Sequence, residues 1–211
     1  MSVQNNFVSL NGMGWNTLLA IIPPLLAFSL FRARQRPGLL WCVAFAAFVL
    51  FLPNSAYVLT DIVQFIRRVR QPPIPSAWVV AVVLVPQYTA FMLVGLEAHV
   101  LSLMLFGRYL RSFGYRRYVP AAEVALNLAA SFGIYLGRYR RFNSWDVMHD
   151  PSRIVAQTLA DFSTAAPCRI VAVTLGLLCL LYYTMRTINR SLLLAWKMQR
   201  TNHVGPATPC T

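Results

Sequence analysis

Acidic residues are scarce. Six Asp and Glu stand against nineteen Lys and Arg in 211 residues, for a formal net charge of +13. Charge of either sign is sparse as well: 12% of residues are charged, about half the fraction usual in a soluble domain. That composition argues against a water-soluble globule. Cysteine is rare. Cys42, Cys168, Cys179 and Cys210 stand far apart without CxxC spacing, which leaves no zinc ribbon and no disulfide framework to be read. The first three lie in or beside apolar runs and read as small buried apolar residues. No HExxH, His cluster, Gly-rich phosphate loop or GxSxG is present, so no metal, cofactor or catalytic residue is assigned. No Gly/Ser-rich linker divides the chain, which reads as a single membrane domain over residues 1–211.

What is there is apolar: 57% of residues are hydrophobic, gathered into long runs. These run from about Trp15 to Phe31, Leu39 to Leu52, Trp78 to His99, Val119 to Gly137 and Cys168 to Tyr183. The fold class is therefore all-α, an integral membrane bundle of about five transmembrane helices. The first run has basic residues after it and none before it, unlike a secretory signal, so it reads as an uncleaved helix, kinked at Pro23-Pro24. The second run is expected to stop at Pro53 and to be followed by an interfacial amphipathic helix over about residues 55–68. The tail, 185–211, sets Arg186, Arg190, Lys197 and Arg200 against Ile188, Leu192 and Trp196, the pattern of a basic amphipathic surface helix.

Basic residues cluster between the apolar runs, as in Arg32, Arg34 and Arg36, or Arg108, Arg111, Arg116 and Arg117. That placement points to anionic lipid headgroups as partners rather than to nucleic acid. With the N-terminus outside and the C-terminus in the cytoplasm, eleven Lys and Arg fall on the inner side and eight on the outer, so this orientation is preferred.

The fourth run holds two four-residue series. Ala121, Ala125, Ala129, Gly133 and Gly137 form a small-residue stripe, suited to close approach of another helix of this chain or of a second copy. Glu123, Asn127, Ser131 and Tyr135 form a polar stripe nearly opposite. The polar stripe either joins helices by hydrogen bonds or faces a polar cavity. An intramembrane carboxylate such as Glu123 is costly unless neutralised or paired. Glu97, two residues before His99, is the second such carboxylate. The two carboxylates either approach and share a proton or a cation, or each pairs with a nearby arginine such as Arg108 or Arg111.

On the opposite side, Asn54, Tyr57, Asp61 and Gln64 follow the second run, and Arg138, Asn143, Trp145 and Asp146 follow the fourth. Together they make a polar rim: an ion-paired closure of the bundle, or a binding site for a lipid headgroup or small polar solute.

Phe51-Leu-Pro-Asn-Ser-Ala-Tyr-Val-Leu-Thr-Asp61 and Phe132-Gly-Ile-Tyr-Leu-Gly-Arg-Tyr-Arg-Arg-Phe-Asn-Ser-Trp-Asp146 resemble the bacterial multi-pass membrane family called domain of unknown function 1361. The resemblance implies a bacterial inner-membrane protein over nearly the whole chain, without an established activity. It carries over Asn54, Tyr57, Asp61, Gly137, Arg138, Asn143, Trp145 and Asp146 as motif positions. The family pattern often has His three residues after the Asp, where this chain has Gln64, and Trp-Tyr-Asp where it has Trp78-Val-Val. Both departures weigh against a metal role. Three functions follow: binding or transport of a small polar solute or lipid headgroup at the rim, a structural or accessory membrane subunit, or a membrane-embedded lipid-modifying enzyme.

Overall fold

The computed structural model describes residues 18–32, 38–70, 72, 74–139, 152, 156, 158, 160, 161, 163 and 165–203. Among them there is no strand. The helices are α1 (Leu18–Phe31), α2 (Leu39–Tyr57), α3 (Ile62–Arg70), α4 (Ala77–Ser112), α5 (Val119–Tyr139) and α6 (Ala165–His203). α2, α4, α5 and α6 are each long and apolar enough to cross a bilayer, and α1 is a shorter apolar helix. The chain is a multi-pass membrane helical bundle.

Prolines that the sequence marks as breaks sit inside helices. α1 passes through Pro23-Pro24. α2 does not stop at Pro53 but continues to Tyr57, where a 3-10 turn, Val58–Asp61, leads into α3. The amphipathic helix therefore begins later than its pattern suggests. α3 leaves Ile62, Val63 and Ile66 exposed and ends in Arg67, Arg68 and Arg70, which suits a helix lying along the interface. In α4 a π-helical turn, Val80–Leu84, ends two residues before Pro86. The wider turn accommodates a residue with no N–H and a bulky ring.

α4 ends in a Schellman closure. Gly114 adopts φ 86°; its N–H donates to the Arg111 carbonyl at 3.1 Å, and the Tyr115 N–H donates to the Leu110 carbonyl at 3.0 Å. A 3-10 turn, Arg116–Tyr118, then starts α5. So tight a connection makes α4 and α5 antiparallel neighbours.

α5 is central, packing on α2, α4 and α6. The core combines Ala27, Phe48, Leu52, Val100, Leu103, Ala130, Leu178 and Tyr182. An aromatic cluster locks α1, α2 and α4 at one end. Phe31 lies 5.3 Å from Phe48 and 5.2 Å from Phe106, while Trp41 stacks on Phe45 at 5.1 Å. Lipid supplies no hydrophobic drive between helices, so such packing carries their association. α6 runs unbroken to His203, so Arg186, Arg190, Lys197 and Arg200 lie on the same helix as the apolar run before them.

Candidate functional site

α5 carries polar groups along its length, and three sets of neighbours meet them. At the rim end, the 3-10 turn after α2 sets Thr60 and Asp61 against the C-terminal turn of α5. Asp61 is almost wholly buried. Its Oδ1 accepts from the Gln64 amide at 3.0 Å and from the Arg138 guanidinium at 3.1 Å. Arg138 also donates to the Thr60 hydroxyl. Helix ends reinforce the pair: the carboxylate precedes the first turn of α3, and the guanidinium sits in the last turn of α5. One turn deeper, the Tyr135 hydroxyl donates to Asp161 at 3.0 Å. Asn54 lies in the last turn of α2. The side chain of Tyr57, and Asn143, Trp145 and Asp146, lie outside the described residues.

In the middle of the bundle the polar stripe faces inward. Glu123, Asn127 and Ser131 are fully buried and Tyr135 nearly so. The Asn127 side-chain oxygen lies 3.0 Å from His99 Nε2. An amide oxygen only accepts, so Nε2 carries the imidazole proton. Nδ1 is left toward the Ser55 hydroxyl at 3.4 Å. The Asn127 amide donates to the Glu123 carbonyl at 2.9 Å, and the Ser131 hydroxyl donates to the Asn127 carbonyl at 2.8 Å. These bonds tie α2, α4 and α5 together through side chains that lipid would not tolerate alone.

The small-residue stripe divides. Gly133 lies against α2: a Cβ there would stand 2.3 Å from Pro53 Cγ and 2.7 Å from its Cβ. Ala121 and Ala125, two turns and more away, are exposed.

At the basic end, Glu123 is clasped from two helices. Arg186 of α6 donates to its Oε2, and the Arg111 guanidinium of α4 lies 3.9 Å from its Oε1. Gly107 makes room: a Cβ there would stand 2.8 Å from Glu123 Oε1. The Arg186 guanidinium also lies over the Tyr182 ring, 5.6 Å from its centre, within cation–π range. Glu97 accepts from the Asn189 amide at 2.6 Å. Each carboxylate is thus held by its own α6 side chain, three residues apart, and Glu97 takes an amide where an arginine was expected.

Asn189, Thr60 and Asp161 belong to these networks and carry no spacing signal, while the spacing of Arg186 marks it only as part of a basic surface face. α6 rises about 32 Å between Ala165 and Arg186, a length of about one hydrocarbon thickness. Among the described residues no three of His, Cys, Asp and Glu group closely enough to hold a metal ion. Gln64, standing where the resemblance has a His, serves Asp61 as a hydrogen-bond donor.

No curated protein and no solved structure matches the chain. The family model described as protein of unknown function (DUF1361) matches residues 15–180, a stretch that takes in both motif segments, α1 to α5 and the first part of α6, and the chain therefore belongs to that family.

Proposed function

We propose that this protein is a binding protein of the bacterial inner membrane whose site is the rim where Arg138 meets Thr60 and Asp61, and that the site takes a small polar solute or a lipid headgroup. The observation that carries the reading is the bond across 77 residues of sequence between Arg138 and Asp61. It joins the two motif segments that carry the family resemblance, at the end of the bundle where α3 exposes apolar residues. A carboxylate, a guanidinium, a hydroxyl and an amide then lie within one hydrogen-bonded group, donors and acceptors together, as a zwitterionic or hydroxylated ligand needs.

Removing one partner of a buried pair leaves an uncompensated charge, so the test neutralises both. Asp61→Asn/Arg138→Gln keeps the shapes and much of the hydrogen bonding. Native mass spectrometry of gently extracted protein is expected to find a bound solute or lipid on the natural chain and none on the double variant, at equal membrane accumulation. Identical spectra from the two proteins sink the reading.

A second reading, an accessory subunit, draws on a different observation. The stripe of Glu123, Asn127 and Ser131 is hydrogen-bonded within the bundle, and the exposed Ala121 and Ala125 leave a smooth face on α5 for a partner helix or a second copy.

A further inference from the structure

Above Glu123, the faces of α4 and α6 meet around a cavity of about 120 Å³ lined by Met104, Arg108, Arg111, Arg186, Arg190 and Leu193. A single water needs roughly 15 Å³ on the same measure, so a phosphate-sized group has room. The lining is a consequence of helical spacing. Positions 104, 108 and 111 share one face of α4, and 186, 190 and 193 share one face of α6.

The charges do not balance within the protein. Glu123 pairs with Arg186 and faces Arg111. Among the described residues neither Arg108 nor Arg190 is paired with a carboxylate. Four guanidiniums line one cavity against one carboxylate, an excess of three positive charges, with Arg108 and Arg190 exposed. Like charges held so close repel more strongly than they would in open solvent. A multiply charged anion seated among them turns that repulsion into attraction, and the planar fork of arginine fits phosphate oxygens two at a time. Depth adds a constraint. If α6 enters the bilayer near Ala165, Arg186 stands about one hydrocarbon thickness on, at the level of headgroup phosphates. Met104 and Leu193 add apolar side chains to the lining. Arg186 and Arg190 also fall beyond the residues matched by the family model.

We propose that this cavity binds a phosphate group bearing two or more negative charges, presented by a phosphomonoester lipid headgroup or by a soluble phosphate. The site is separate from the rim, at the other end of α5, and stands whatever the rim binds.

The test uses the purified full chain in neutral detergent, with thermal unfolding as the readout. Its probes are dioleoyl phosphatidic acid, sodium pyrophosphate and dioleoyl phosphatidylcholine, at matched ionic strength. The variant is Arg108→Gln/Arg190→Gln, which spares the Arg186–Glu123 pair. The unfolding midpoint of the natural chain is expected to rise with phosphatidic acid, with pyrophosphate, or with both, and not with phosphatidylcholine. The double variant should need at least ten times more of the same probe for the same rise. A response to phosphatidic acid alone identifies a lipid ligand; a response to pyrophosphate identifies a soluble one. If the Gln variant does not accumulate, Arg108→Lys/Arg190→Lys keeps the charge, loses the fork, and should need several times more pyrophosphate or phosphatidic acid. The proposal is overturned if neither phosphate raises the midpoint above phosphatidylcholine, or if the variant titrates like the natural chain.

Discussion

Arg186 of α6 donates to the Glu123 carboxylate of α5 across 63 residues of sequence, with the carboxylate fully buried. An unpaired carboxylate at that depth would be expensive, and so would the guanidinium left behind without it. Removing one partner of a buried pair costs about 3–5 kcal/mol. Glu123→Ala should therefore lose about that much stability, and Arg186→Ala a similar amount. Glu123→Gln/Arg186→Gln, with neither charge left, should recover most of it. Unfolding in mixed micelles measures all three. Single variants that cost under about 1 kcal/mol would mean that water reaches the pair and screens it.

Gly133 and Pro53 define the crossing of α5 and α2. A methyl group at 133 meets the proline ring at 2.3 Å, and a ring fused to the backbone cannot swing aside. Gly133→Ala should cost about 1–3 kcal/mol by overpacking. Pro53→Ala removes the Cγ at 2.3 Å and opens the ring, keeping only the Cβ at 2.7 Å, so the double variant Gly133→Ala/Pro53→Ala should be more stable than the sum of the two single losses predicts. A double-mutant cycle on unfolding free energy decides it; strict additivity would mean that α2 and α5 do not touch there.

Helical periodicity made the polar stripe of α5 legible, because four-residue spacing survives whatever surrounds it. Its inward orientation follows from the same spacing: a carboxylate and an amide on one face keep that face away from lipid. Partner choice was not legible. Glu123 had Arg108 and Arg111 within reach along the sequence, yet the closer bond comes from Arg186, because α6 continues as one helix past the bilayer and passes beside α5. Pro53 reads as a stop because proline normally ends a helix. Its ring here fills the gap left by Gly133, a compensation that only the packed pair of helices reveals. The Arg138–Asp61 bond joins two segments that the sequence sets side by side only through motif and topology.

Asn127 and His99 test how much the buried hydrogen bonds contribute. Membrane side-chain bonds average about 0.6 kcal/mol and reach about 1.7, far less than a stranded charge costs. Asn127→Ala should thus destabilise by about 2 kcal/mol or less, well below Glu123→Ala, since it breaks the 3.0 Å contact to His99 without leaving an ion behind. His99→Gln, which keeps a donor, should cost still less. Equal losses at Asn127 and Glu123 would show that the network acts as one unit rather than as an ion pair flanked by ordinary bonds.

The two ends of α5 carry different arginine densities, and this sets the expected orientation. The basic end gathers Arg108, Arg111, Arg186 and Arg190 around one cavity, with Arg116 and Arg117 in the adjoining turn. The rim end of the described bundle has Arg138, Arg169 and the three arginines of α3. Lys and Arg near span ends are retained on the cytoplasmic side, so the arginine cavity should face the cytoplasm and α3 the outside. Single cysteines at Gln64 and at Tyr115, each introduced with Cys42, Cys168, Cys179 and Cys210 replaced, separate the two faces. A membrane-impermeant thiol reagent applied to intact cells should label position 64 and spare 115 until the membrane is opened. The reverse pattern would put the phosphate cavity outside and the rim inside, and would make extracytoplasmic phosphates the ligands to try first. Labelling of both positions from one side would contradict a full crossing by α4, the helix that sets the rim and the arginine cavity at opposite ends of the bundle.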